Sequence, residues 1–440
     1  MKRKIGAAFA AAAALVVLAG CSSSSGGGGT SPTPPKPDEA KGQNITFWVM
    51  GGDTPDALRD YLKTEYNKAT GGTLTIEEQD WGAALAKLQT ALPDANNTPD
   101  VTEVGNTWSP TFTNVGAFSD ISDMYDELGG DKLLTSFVEV GEVDGKKYAL
   151  PYYFGSRYMF YRKDLYQAAG VEVPTTLPQL TEVATKLHSA DVSGFYLGGQ
   201  DWRNGVSWVF AYGGDLAKKD GDTWTSTLSD PKTIEGLTEL QKLYKAASNA
   251  PVTESDSTPW ENLNTQPKAT TPEAATIIAP GWAHWSIGDL APDPEDDTKT
   301  VATWNDDVFG TYVLPGVDGG VAPVFAGGSN IGISAASKNQ AGARELLKII
   351  FSPEYQKMLG ENGLGPANSD YTSSLGDDQF AKALIESAQG SKLTPAAPGW
   401  AAVEGSGLLE EFFGKVSAGG DIAALATEYD QKLNPLLNQK

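Results

Sequence analysis

Between residues 45 and 104 the hydrophobic pattern switches repeatedly between strand and helix periods, and that alternation leaves few architectures open. Ile45-Thr46-Phe47-Trp48-Val49 is β-branched and aromatic, and it breaks at Gly51-Gly52-Asp53. Residues 57–66 then place Leu58, Tyr61, Leu62 and Tyr66 on one side of a helix. Leu74-Thr75-Ile76 starts a second strand, residues 83–92 carry Leu85, Leu88 and Leu92 at helical spacing, and Asp100-Val101-Thr102-Glu103-Val104 starts a third. Strands separated by helices predict an α/β domain with a mostly parallel sheet. Ligands of such sheets bind beyond the C-terminal strand ends, here residues 51–53, 79–81 and 106–108, and two of those ends carry a tryptophan.

The N-terminus points to export. Residues 1–4 include three basic side chains, residues 5–20 are uncharged and rich in Ala, Val and Leu, and Leu18-Ala19-Gly20 leads into Cys21. This predicts a signal peptide over residues 1–20, too short for a bilayer-spanning helix of roughly 20 residues. Leu-Ala-Gly-Cys also resembles the bacterial lipobox, which implies lipidation of Cys21 and a membrane anchor; an ordinary secreted protein with a chance cysteine is the alternative. Residues 22–43 are Ser/Gly-rich and then Pro-rich, with no aromatic or β-branched apolar residue to bury, so a disordered tether is expected.

Composition removes several chemistries. With 33 Lys+Arg against 56 Asp+Glu the net charge is -23, and nucleic-acid binding, which needs a basic surface, is not expected. Cys21 is the one cysteine, so no disulfide is expected. The two histidines, His188 and His284, lie in no ligand-like spacing, so neither a metal site nor a Ser-His-Asp triad is expected. No phosphate-cradling motif or other cofactor signature is present. The many carboxylates leave a glycoside-active enzyme using an acid pair open. Tryptophan and tyrosine are abundant, at 11 and 16, and many sit at strand ends.

Further along, Val143-Asp144-Gly145-Lys146 signals a hairpin before Tyr148-Ala149-Leu150-Pro151-Tyr152. Ala275-Thr276-Ile277-Ile278 reads as a buried strand ending at Pro280-Gly281-Trp282, and Gly327-Gly328-Ser329-Asn330 as a turn leading into another. In order and spacing, four segments resemble the sugar-binding family of extracellular solute-binding proteins that serve ABC importers and include maltose-binding protein. They are residues 99–108; residues 145–165, with Gly155-Ser156-Arg157; Ile278-Ala279-Pro280-Gly281-Trp282; and residues 327–356.

The resemblance implies two α/β lobes with the ligand in the cleft between them, lobe one comprising residues 44–153 plus 302–352 and lobe two residues 154–301 plus 353–440. It implies no reaction: the lobes of a monomer close on a carbohydrate, expected to be an oligosaccharide because several dispersed aromatics imply several subsites, and dock on an ABC importer permease. A polyol or another small solute, or a lectin role, stays open. Sugars offer apolar C–H faces and hydroxyl rims, which suit flat aromatic rings with carboxylate, amide and guanidinium groups. By similarity Trp282 is the stacking tryptophan, Trp400 a second platform with Glu404 one helical turn on, and Asp201-Trp202 a second-lobe contact. Asn106 and Trp108 come from a strand-end loop, Asp53 is a hydrogen-bonding candidate, Asn330 follows the glycine pair, and Arg157 either binds hydroxyls or holds the hinge. Trp48 and Trp208 read as core. Gly52-Asp53 lacks the basic partner of maltose-binding relatives, which argues against maltose.

Overall fold

Residues 35–255, 258–265, 273–294, 296 and 299–439 are described by a computed structural model; the expected signal peptide, Cys21 and residues 22–34 lie outside the described residues. Strand β1 (Ile45–Met50) leads into helix α1 (Asp56–Thr70), which buries the stripe Leu58, Leu62 and Tyr66 as the periodicity predicts. After β2 (Leu74–Gln79), the Asp80 side chain accepts from the Ala83 amide and opens α2 (Trp81–Ala91). Then follow β3 (Val101–Gly105) and β4 (Ala149–Gly155). Beyond Ser156 lie β5 (Arg157–Arg162), α3 (Trp202–Ala211), β6 (Thr276–Pro280) and β7 (Phe309–Tyr312). The chain continues through β8 (Gly327–Ile333), α4 (Gln340–Ile350), α5 (Pro353–Glu361), β9 (Gly365–Pro366), α6 (Gln379–Gln389) and α7 (Trp400–Gly405).

The first sheet has the order β9-β4-β8-β3-β1-β2, and the second β6-β5-β7. β1 pairs in parallel with β2 and β3, while β8 runs antiparallel to β3 and β4. The second sheet is antiparallel throughout. Separate cores sit against the two, one around Phe47, Leu62, Leu150, Leu346 and Tyr355, the other around Phe195, Trp208, Leu240, Phe412 and Tyr429. A third cluster, with Phe154, Tyr158, Phe160 and Ala326, lies where the chain crosses.

Those crossings correct the expected lobe boundaries. The first falls at Ser156, between β4 and β5. The return expected near residue 302 falls at residues 326–327, because β7 pairs with β5 and Leu314, Ala322, Val324 and Phe325 pack in the second core. Residues 353–366, expected in lobe two, belong with the first sheet: β9 pairs with β4, and Tyr355 and Leu359 fill the first core. The body also starts before Asn44. A short 3-10 helix, Pro37–Ala40, precedes it, and the Gln43 side chain accepts from the Gly342 amide at 2.8 Å at the start of α4.

Candidate functional site

The strand-end loops of the first sheet and the elements just past the crossing enclose a cavity of about 550 Å³. From the first sheet come Asp53, Trp81, Asn106, Thr107, Trp108, Tyr153 and Ser329; from the second side come Arg157, Tyr158, Arg203, Trp282, His284, Trp285 and Phe380. This is where parallel sheets place ligands, since strand C-termini and the loops after them converge there.

Asp53 sits at the floor. Its Oδ2 accepts from Trp81 Nε1 at 3.1 Å and from the Tyr153 hydroxyl at 2.8 Å. Burial raises its carboxyl above the ordinary range, and those two donors partly offset the effect. Behind it, fully buried Glu103 on β3 accepts from Tyr153 at 3.0 Å and from the Met50 amide at 2.9 Å. Burial, with the Asp53 charge nearby, pushes Glu103 up to about 7 despite its donors. The hydroxyl of Tyr153 carries one proton and faces two carboxylates, so it serves one of them at a time.

Trp81 and Trp108 meet edge to face with ring centres 5.4 Å apart and form an aromatic wall. Opposite, Trp282 and Trp285 project from a 3-10 helix, Gly281–Ser286, and are 51% and 58% exposed. Three residues per turn put both on one face. Trp282 is braced by Trp260 at 5.0 Å.

The Asn106 amide lines the cavity and donates to the Ala326 carbonyl at 3.4 Å, tying the β3 loop to the return crossing. Arg157 also lines it, yet its guanidinium is spent on holding the crossing: Nε donates to Asn204 Oδ1 at 2.7 Å, Nη1 donates to the Phe325 carbonyl at 3.1 Å, and the group lies 4.6 Å from the Phe325 ring centre.

Five expected contacts lie elsewhere. Asp201 caps α3, accepting from the Asn204 amide and, at 2.6 Å, from its side chain, so it orients the group that holds Arg157. Trp202 is 1% exposed and gives its Nε1 proton to Glu410. Trp400 is 1% exposed and packs edge-on against Trp202 at 6.3 Å, because the C-terminal helices close over α7. Asn330 is buried and donates to the Phe137 carbonyl; the glycines before it serve the crossing, since at Gly328 (φ +127°) a Cβ would lie 2.5 Å from the Tyr153 carbonyl oxygen. Glu404 lies behind the wall, accepting from Thr107 at 3.0 Å and Arg203 at 3.4 Å across the two sides, with burial raising its carboxyl.

The sequence reading placed Trp81 at a strand end without making it a contact, and it passed over Tyr153, Arg203 and Trp285. The Trp-x-x-Trp spacing of residues 282–285 was the available signal for Trp285. Among the described residues no group of three His, Cys, Asp or Glu side chains could hold a metal, and no helix is long and apolar enough to cross a membrane.

The bacterial extracellular solute-binding protein family matches residues 51–357. The chain is 32% identical over 408 residues to the diacetylchitobiose binding protein DasA of Streptomyces coelicolor, covering 92% of each. Its fold is similar to that of the sugar-binding protein MalE from Xanthomonas citri, with a TM-score of 0.74 at 20% identity over 90% of this chain and 97% of that one. It is also similar to the cyclic alpha-maltosyl-1,6-maltose binding protein from Arthrobacter globiformis, with a TM-score of 0.72 at 18% identity over 90% and 99%. A crossing chain, a cleft at strand ends and these matches together place the chain among the bacterial extracellular solute-binding proteins.

Proposed function

We propose that the cleft binds a carbohydrate, an oligosaccharide with diacetylchitobiose as the first candidate, and that the protein hands it unaltered to an ABC importer permease. The observation that carries this is the pairing of exposed Trp282 and Trp285 with the Trp81–Trp108 wall and the Asp53 carboxylate around one cavity. Flat rings cover the C–H faces of a sugar, and a carboxylate whose Oδ2 is already held can turn Oδ1 to its hydroxyls. Closure of the lobes then couples binding to delivery, provided the ligand favours the closed state. The 32% identity to a diacetylchitobiose binding protein over nearly the whole chain supports this ligand class.

Trp282→Ala tests the platform. Calorimetry should find affinity for diacetylchitobiose weakened by roughly 1 to 3 kcal/mol, the range for aromatic stacking on other flat ligands. The unliganded melting temperature should stay close to wild type, since the ring is half exposed. Unchanged affinity would remove Trp282 from the site. Incubated oligosaccharide should be recovered intact; cleavage products would favour the glycoside-active reading instead.

The proposal includes removal of residues 1–20 and a lipid on Cys21 that holds the protein at the outer face of the cell membrane. Wild-type protein should partition into the detergent phase of an extract, and Cys21→Ala protein should be released or left unprocessed. An unmodified Cys21 thiol in aqueous wild-type protein would refute the anchor.

A further inference from the structure

Trp285 is the most exposed large apolar side chain among the described residues, at 58%, and yet its ring edge lies beside Gly363 on the other side of the cleft. Gly363 follows α5 and precedes β9, so it belongs to the first sheet, and its φ is +77°. A Cβ built on Gly363 would stand 3.1 Å from Trp285 Cζ2 and 3.5 Å from Cη2. Glycine at this position leaves room for the indole edge, which would have to give by a few tenths of an ångström if a side chain stood there.

The base of that tryptophan is braced. His284 packs beside it with ring centres 4.6 Å apart, stacks on Phe380 at 4.5 Å, and is held through Nδ1 by the Gly281 carbonyl at 2.7 Å. Elsewhere on the cleft, Thr107 and Arg203 meet on Glu404, again joining residues of the two sides. The two sides are thus joined at two places, by the Trp285 ring beside Gly363 at the cavity and by the hydrogen-bonded Glu404 carboxylate behind the Trp81–Trp108 wall.

We propose that Trp285 against Gly363 is an end-stop that makes the cleft selective for short oligosaccharides. This rests on the carbohydrate reading above and adds what that reading leaves open, the length of the ligand. A chain running past Trp285 has to displace the ring from Gly363, whereas one that ends beneath it keeps the contact. Selection by length then comes from a steric penalty against the longer competitor.

Calorimetry on the full chain with two- and five-residue members of two series, β-linked N-acetylglucosamine and α-linked glucose, tests this. Wild type should prefer the two-residue member of the series it binds by at least about tenfold, and Trp285→Ala should erase most of that preference by gaining affinity for the longer chain. Trp285→Leu should fall between, and Gly363→Ala should shift the preference in the same direction as Trp285→Ala. Trp282→Ala should weaken both lengths alike. Wild type that binds both lengths equally, or a Trp285→Ala preference equal to that of wild type, overturns the end-stop and leaves the carbohydrate reading standing. Wild type that binds no member of either series overturns the carbohydrate reading and the end-stop with it.

Discussion

Truncating Trp400 to alanine is expected to cost about 3 to 5 kcal/mol of folding stability, the range for deleting a large ring from a packed interior. Its indole is fully enclosed, edge-on to Trp202, in a core shared with Phe412, Phe413 and Tyr429. The cavity left behind could not collapse without moving the helices that cover α7. Among the described residues its Nε1 has no hydrogen-bond partner, so the loss is one of packing rather than of a polar contact. Denaturant unfolding of the unliganded protein checks the magnitude. Affinity should change much less than in Trp282→Ala, since the cavity wall does not include this ring. Intact stability with a large loss of affinity would return Trp400 to the ligand surface.

Stability should also fall as pH rises through neutrality, and Glu103 should account for about 3 kcal/mol of the fall, the worth of moving its ionisation from 4.5 to about 7. Between those values the folded protein keeps a proton that the unfolded chain has released. The unfolded state therefore binds fewer protons, and unfolding becomes easier with each step up in pH. The contribution is complete below about 4.5, is lost as pH passes 7, and is flat beyond. The raised carboxyl of Asp53 acts with the same sign. Glu103→Gln keeps the shape of a protonated carboxyl, so the difference in unfolding free energy between pH 5 and pH 7.5, a window that holds about 2 kcal/mol of the effect, should shrink by about that amount relative to wild type. An unchanged difference would mean that Glu103 ionises normally within the fold.

The acid pair also bears on how the site is built. Tyr153 bridges Asp53, which faces the cavity, and Glu103, which does not. While Glu103 keeps its proton, the single hydroxyl hydrogen of Tyr153 is free to hold Asp53 in place. Nothing in the local pattern of β3 announces this, because Glu103 stands in a strand otherwise made of Val, Thr and Gly and reads as a solvent-facing residue. Its carboxyl is enclosed by groups that other strands bring to it, the Met50 amide of β1, the Tyr153 hydroxyl of β4 and Ser329 of β8.

Local order was legible from Ile45 to Val104, whereas Gly327-Gly328-Ser329-Asn330, expected as a turn, is the first half of strand β8. The alternation from Ile45 to Val104 and the turns after β1, β2 and β3 act over a few residues each, so reading them requires no knowledge of the rest of the chain. They were enough to place Asp53, Asn106 and Trp108 at strand ends, and the Pro280-Gly281 break was enough to set Trp282 just past a strand.

Which aromatic rings face the cleft was decided by the tertiary structure. Trp282 and Trp400 both follow a Pro-Gly step, yet one is half exposed and the other is enclosed by helices that close over it. Tryptophan suits a sugar platform and a core equally well, so its identity carries no information about exposure. The return crossing and the place of residues 353–366 were hidden for the same reason, since β7 and β9 are short runs whose sheet is chosen by the partner strand, β5 in one case and β4 in the other. Sequence alone determined the elements and the loops that end them, because period and turn chemistry are local; burial and partner choice depend on contacts between residues far apart in the chain, and only the assembled fold brings those together.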